Sequence, residues 1–128
     1  MPYKLFHTLT TYFIGLIWLV NGLVCKVLNY VPRHQEIVGS ILGKVYAREF
    51  TFMIGLSEIL MAIWVFSKYK SKLNAILQIL IILLMNSLEF MLVPDLLLWG
   101  HWNAFFALSF CFIIYFNEFQ LSKKLINA

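Results

Sequence analysis

Charge is what this sequence has least of. Asp, Glu, Lys and Arg make up 12% of its 128 residues, against 62% hydrophobic residues and a mean hydropathy of +0.83. A soluble domain this small carries far more surface charge, so the first class to fall is the water-soluble globular protein. Cysteine is also scarce. Cys25 and Cys111 sit in different apolar runs and form no C-x-x-C, which argues against a metal knuckle or a dithiol redox pair. Two buried, inert thiols are expected, and nothing supports a disulfide between them. No stretch alternates with period two, which disfavours spanning β-strands. Internal repeats, a phosphate loop, a nucleophile elbow, H-E-x-x-H and H-x-x-x-H are all absent. No enzyme class is therefore indicated, and no metal ligand set is expected. The ten Lys and Arg residues give a net charge of +4 but flank the apolar runs. They fit lipid headgroups and not nucleic acid. Lys4 alone leads the first run, and no small-residue cleavage pattern follows, so a retained span is expected there.

What is present is a series of long runs between charges. Residues 5–25 and 96–117 carry no Asp, Glu, Lys or Arg, while 50–67 carry only Glu58 and 73–94 only Glu89. Each run approaches the roughly 20 residues that cross about 30 Å of hydrocarbon. The expectation is an all-α, transmembrane four-helix up-down bundle, one domain over residues 1–128. Lys4, Lys68, Lys70, Lys72, Lys123 and Lys124 would share one side of the membrane, and Lys26, Arg33, Lys44 and Arg48 the other. That bias favours cytoplasmic termini in a bacterial plasma membrane.

The one long connection, 26–49, is patterned. Ile37, Val38, Ile41, Leu42, Val45 and Tyr46 form a helical stripe, with Glu36, Ser40 and Lys44 opposite. An amphipathic interfacial helix from about His34 to Tyr46 is expected, separated from the first span by Pro32.

Polar residues inside the runs then converge. With alternating span directions, Asn21, Lys26, Glu58, Asn86, Glu89 and Asn103 fall in the outer half, Glu58 about 12–15 Å below the boundary by helix rise. Gln78 is the exception, deeper toward the inner side, and His7 lies toward the other face. Helical spacing supports the convergence. Thr51, Gly55, Glu58 and Ala62 share a face, as do Gln78, Met85 and Glu89, Gly15, Gly22 and Lys26, and Asn103, Ala107 and Cys111. A charge at mid-bilayer costs about 2.5–3.5 kcal/mol on insertion scales. Glu58 must therefore be paired, protonated or wet. Lys26 is the best-placed partner for Glu58 or Glu89, and Arg48 is the alternative. Such a pair either fixes helix register or forms a ligand or proton site. Interhelical hydrogen bonds account for Asn21, Asn86 and Asn103. Trp99 and Trp102 suit an aromatic belt, or the cover of a quinone ring. Arg33, His34 and His101 form a candidate rim.

Short strings add a resemblance. Gly22-Leu23-Val24-Cys25-Lys26-Val27-Leu28, a Pro and His turn, and Glu36-Ile37-Val38 resemble the start of DoxX-like membrane proteins. Ile54-Gly55-Leu56-Ser57-Glu58-Ile59-Leu60 with Trp64 resembles their second span; Gln78, Pro94-Asp95-Leu96-Leu97-Leu98 and Asn103 resemble the third and fourth. The resemblance implies a four-helix membrane protein. Some relatives are linked to quinone-dependent redox enzymes or oxidative-stress complexes, which makes quinone the candidate cofactor and a membrane redox enzyme the candidate partner. Three roles stay open: an accessory subunit binding a quinone or lipid, an assembly or scaffolding protein, and a small proton-coupled transporter. A homo-oligomer is compatible with each.

Overall fold

The structure is a computed structural model and describes residues 2–93, Asp95 and 102–121. Among these residues every regular element is helical. Helix α1 spans Pro2–Leu19 and continues without a break as a π-helix over Val20–Val27. Helix α2 spans Arg33–Leu42, α3 Ala47–Ser67, α4 Ser71–Leu92 and α5 Trp102–Tyr115, the last prolonged by a π turn over Phe116–Leu121. Three helical stretches, Tyr3–Val27, Ala47–Ser67 and Ser71–Leu92, are long and apolar enough to cross a membrane. The α-helical part of α5 has 14 residues, and α5 is not among the three.

We call the end of the bundle that carries α2 the outer end, and the end that carries the Lys68–Lys70 link the inner end. The link is tight because Lys68 and Lys70 both take left-handed backbone conformations, at φ 59° and 46°. Helices α1 and α3 pack along each other, and α4 packs along α5. Helix α2 lies over α3 and reaches α4, while α1 meets the last helix mainly through its π turn.

The α1–α3 crossing is set by two glycines. A Cβ on Gly22 would stand 2.6 Å from the Gly55 carbonyl oxygen, and one on Gly55 2.7 Å from that of Gly22. Only hydrogen fits on either side, so the backbones approach as small-residue pairs allow in lipid. The buried face of α3 runs through Ala47, Thr51, Gly55, Glu58, Ala62 and Val65, the small-and-polar stripe that the helical spacing of this span implies. The apolar core is Ile14, Trp18, Ala62, Val65, Ala75, Ile82, Cys111 and Ile114. Among the described residues it fills the inner and middle parts of the bundle, and a cavity lies in the outer half.

Two features differ from expectation. The amphipathic helix stops at Leu42 instead of Tyr46, because Gly43 takes φ +110°, a conformation that ends helices and favours glycine. Ile37 and Val38 are buried as the stripe requires, but Leu42, Val45 and Tyr46 are exposed. The π segments are unforeseen. At the end of the first, Leu28 N–H donates to Leu23 O at 2.9 Å, an i→i+5 bond, and just beyond it Tyr30 N–H donates to Val24 O at 3.0 Å. This widened ladder gives no periodic sign in sequence, and π-bulges are frequent at functional sites.

Candidate functional site

The π segment presents Lys26 to α3. Its ammonium lies 2.9 Å from Glu58 Oε1 and 3.2 Å from Oε2, and both side chains are buried. Lys26 therefore pairs with Glu58 and not with Glu89. Arg48 takes a different role from the expected one. Its guanidinium donates to the carbonyl oxygens of Lys26 and Val27, each at 2.6 Å. A planar fork suits this pairing, and it satisfies carbonyls that a helix end leaves without partners. Removing one partner of a buried ion pair costs about 3–5 kcal/mol, because the other charge is left buried without compensation.

Around this pair lies a cavity of about 670 Å³, within the range of small-molecule sites. Lys26, Glu58, Asn21, Asn86, Glu89 and Asn103 all line it, and Arg33 and His34 stand on its α2 side. The structure thus gathers these eight candidates in one place. Trp99 and His101 lie outside the described residues, as does the side chain of Trp102. The rest of the wall is mainly apolar and was not singled out as a site in the sequence. Phe13 and Ile17 come from α1, Met85 from α4, and Phe106, Phe110 and Ile113 from α5. Their signal was available as i, i+4 and i+7 spacing, but it reads equally as ordinary span packing.

The asparagines are only partly as expected. Asn103 Nδ2 donates to Asn86 Oδ1 across helices at 2.9 Å. Asn21 instead donates to Ile17 O in its own helix at 2.9 Å, and Asn86 does the same to Ile82 O. Glu89 makes no side-chain hydrogen bond or ion pair among the described residues and is partly exposed to the cavity. His34, on the interfacial α2, has its pKa pushed down to about 4 by burial, then by the positive charges of Lys26 and Arg33. It is a neutral imidazole at pH 7. The cavity therefore offers a guanidinium at Arg33 and a carboxyl at Glu89 beside an internally balanced Lys26–Glu58 pair.

A second polar cluster was not foreseen and corrects the expectation of a single convergence. At the inner end, His7 Nδ1 and Asn117 Oδ1 are 3.0 Å apart, and Asn117 Nδ2 donates to Thr11 Oγ1 at 3.0 Å. Thr11 donates to His7 O at 2.8 Å, and Ser71 to Glu118 Oε1 at 2.7 Å. Gln78 Nε2 donates to Asn74 Oδ1 at 2.6 Å. These groups surround a space of only about 60 Å³. Trp18 stands between the two regions. It lines the outer cavity and donates its indole N–H to Gln78 Oε1 at 2.7 Å. Among the described residues no three His, Cys, Asp or Glu side chains gather as a metal site. Cys25 and Cys111 are free thiols.

The profile of the DoxX-like family matches residues 15–115. The chain belongs to the DoxX-like family. No curated protein and no solved structure matches it. In this DoxX-like protein the matched region holds the Lys26–Glu58 pair, Asn86, Glu89 and Asn103. It excludes His7, Thr11, Asn117 and Glu118 of the inner cluster.

Proposed function

We propose that this DoxX-like membrane protein crosses the membrane four times, with α5 as the last span, and binds a small hydrophobic molecule with a polar head in its outer cavity. A quinone or a lipid is the class of ligand. The protein serves as a non-catalytic accessory component of a membrane redox system. It sits in a bacterial plasma membrane with both termini in the cytoplasm, the side to which Lys68, Lys70 and Lys72 then point.

One observation carries the reading: a largely apolar cavity of about 670 Å³ has a buried charged pair on its wall. Ionisable groups inside a membrane protein mark ligand or ion pathways by default. Apolar walls take up a ring or chain, while Asn86, Asn103, Lys26 and a protonated Glu89 donate hydrogen bonds to a head. Native mass spectrometry of the full chain from mild detergent tests this. The expected result is a bound quinone or lipid mass that is lost in Glu58→Gln. A ligand-free spectrum for the wild-type chain, also after addition of decylubiquinone, contradicts it.

A scaffolding role is the second reading, favoured by the position of Lys26 one turn from the Gly22–Gly55 crossing. There the ion pair only fixes how α1 and α3 meet. It requires a protein partner retained by Glu58→Gln, with no ligand in either form.

A further inference from the structure

The outer cavity is not walled equally on all sides. Helices α1 and α3 form one packed pair, and α4 and α5 form another. The pairs join at the inner end through His7–Asn117 and Asn117–Thr11. Toward the outer end they separate, and α2 contacts both α3 and α4 on that side. Ile37 and Val38 of α2 are buried there. Between α1 and the α-helical part of α5 no comparable packing exists among the described residues.

The two sides of this gap match. Phe13 and Ile17 stand one turn apart on α1, and Phe106 and Phe110 one turn apart on α5, and all four line the cavity. Yet Phe13 is 52% and Phe106 48% exposed. A residue that lines a cavity and is half exposed marks its mouth. This mouth lies along the length of the helices, at the depth of the apolar spans. What it faces in a membrane is acyl chain, not water. The back of the cavity is polar, with the Lys26–Glu58 pair and Glu89, so the polarity changes from the mouth inward.

We infer that the cavity opens sideways into the bilayer between α1 and α5, and that its ligand is a tailed amphiphile. Its compact head, which accepts hydrogen bonds from Lys26, Asn86 and the protonated carboxyl of Glu89, lies at the back, and its hydrocarbon chain leaves through the Phe13–Phe106 gap. This rests on the proposed ligand role of the cavity. It adds the route, the orientation and the need for a chain. A tail that continues into the lipid keeps its apolar contacts on both sides of the gap, so chain length beyond the gap is not limited by cavity volume. A prenylated quinone and a fatty acid share this head-and-chain chemistry.

Photolabelling in proteoliposomes of phosphatidylethanolamine and phosphatidylglycerol tests the inference. Two probes are used, an alkyl ubiquinone and a palmitate, each with a diazirine in mid-chain. The expected label falls on Phe13, Ile17, Phe106 and Phe110. It drops at least tenfold with excess non-photoreactive competitor of the same class. The probe that meets this criterion names the source of the ligand. Glu89→Leu, which removes the donor, lowers the same label; among the described residues Glu89 makes no side-chain hydrogen bond or ion pair, so this variant avoids the folding risk of breaking the Lys26–Glu58 pair. Competitor-sensitive label confined to the outward faces of α3 and α4 overturns the route and leaves the binding reading intact. Competitor-insensitive label at the gap, together with a dimeric native mass, assigns the gap to a second copy of the chain and overturns the inference. Absence of competitor-sensitive label with both probes overturns the binding reading itself.

Discussion

The outer and inner polar regions of this DoxX-like protein use the same kinds of side chain to opposite ends. At the inner end His7, Thr11, Asn117, Ser71, Glu118, Asn74 and Gln78 bond to one another, and the space left is about 60 Å³. At the outer end the Lys26–Glu58 pair and the Asn86–Asn103 bond line a cavity of about 670 Å³, with Glu89 left over. Polar groups in lipid must find partners. Where the partners are each other and the space closes, the cluster ties helices together. Where capacity remains beside open volume, the protein has room for something else. The difference lies less in residue type than in what stands between the helices: Ile14, Ile114 and Val65 fill the inner bundle, whereas among the described residues of the outer end the buried Ile37 and Val38 of α2 leave a cavity.

The strongest way to break this contrast is at the ion pair. Lys26→Met alone leaves Glu58 buried without its cation and lowers stability by about 3–5 kcal/mol, read as the midpoint of unfolding in detergent. The double variant Lys26→Met with Glu58→Leu recovers most of that loss, because well-packed apolar replacements for a buried pair are often neutral. It still fails to bind decylubiquinone. Recovery of binding with stability would make the pair purely structural.

The inner cluster is expected to respond in the opposite way. Asn117→Ala removes the partner of both His7 and Thr11, and unsatisfied buried groups cost about 1–3 kcal/mol. The same unfolding assay shows that loss, while decylubiquinone affinity changes less than twofold. A large change in affinity would mean that the two regions act together through Trp18 and Gln78.

Smaller effects sharpen the picture. Asn103→Ala removes one interhelical hydrogen bond, of a kind that averages about 0.6 kcal/mol in membrane proteins. Its effect on ligand affinity is expected to exceed its effect on stability. The pH effect of His34 is nil at neutral pH and shows only in acid. Its folded pKa of about 4 lies below the unfolded value near 6.5. Between those values the unfolded chain binds more protons, so stability rises with pH. The contribution is full above about pH 6.5 and is lost as pH falls toward 4. His34→Gln flattens that part of the curve, which a stability series from pH 4 to 7 measures.

Much of this arrangement was legible in the sequence because it follows period 3.6. The spacing of Thr51, Gly55, Glu58 and Ala62 marks the buried face of α3, and Lys26 stands out as the partner of Glu58 or Glu89, a choice that only the structure makes. The end of α2 was also written there, in Gly43, but the apolar stripe continues past it to Tyr46 and hides the stop. The π-helix over Val20–Val27 leaves no spacing signal, because i→i+5 bonding shows only in the backbone. The inner cluster was hidden for another reason. Asn117 and Glu118 sit at the end of an apolar run and read as its boundary, and His7 as a lone polar group on the far side. Only the chain's path brings position 7 beside 117. The mouth of the cavity was equally invisible, since Phe13 and Phe106 look like any lipid-facing residue until both are found on one cavity wall.

The central claim is that the two polar regions differ in having, or lacking, a ligand. Equilibrium binding of decylubiquinone to the full chain in lipid nanodiscs, for the wild type, Glu89→Leu and Asn117→Ala in parallel, tests it most directly. Saturable binding is expected, weakened at least tenfold by Glu89→Leu and changed less than twofold by Asn117→Ala. Non-saturable uptake in all three, or equal weakening by both substitutions, would contradict it.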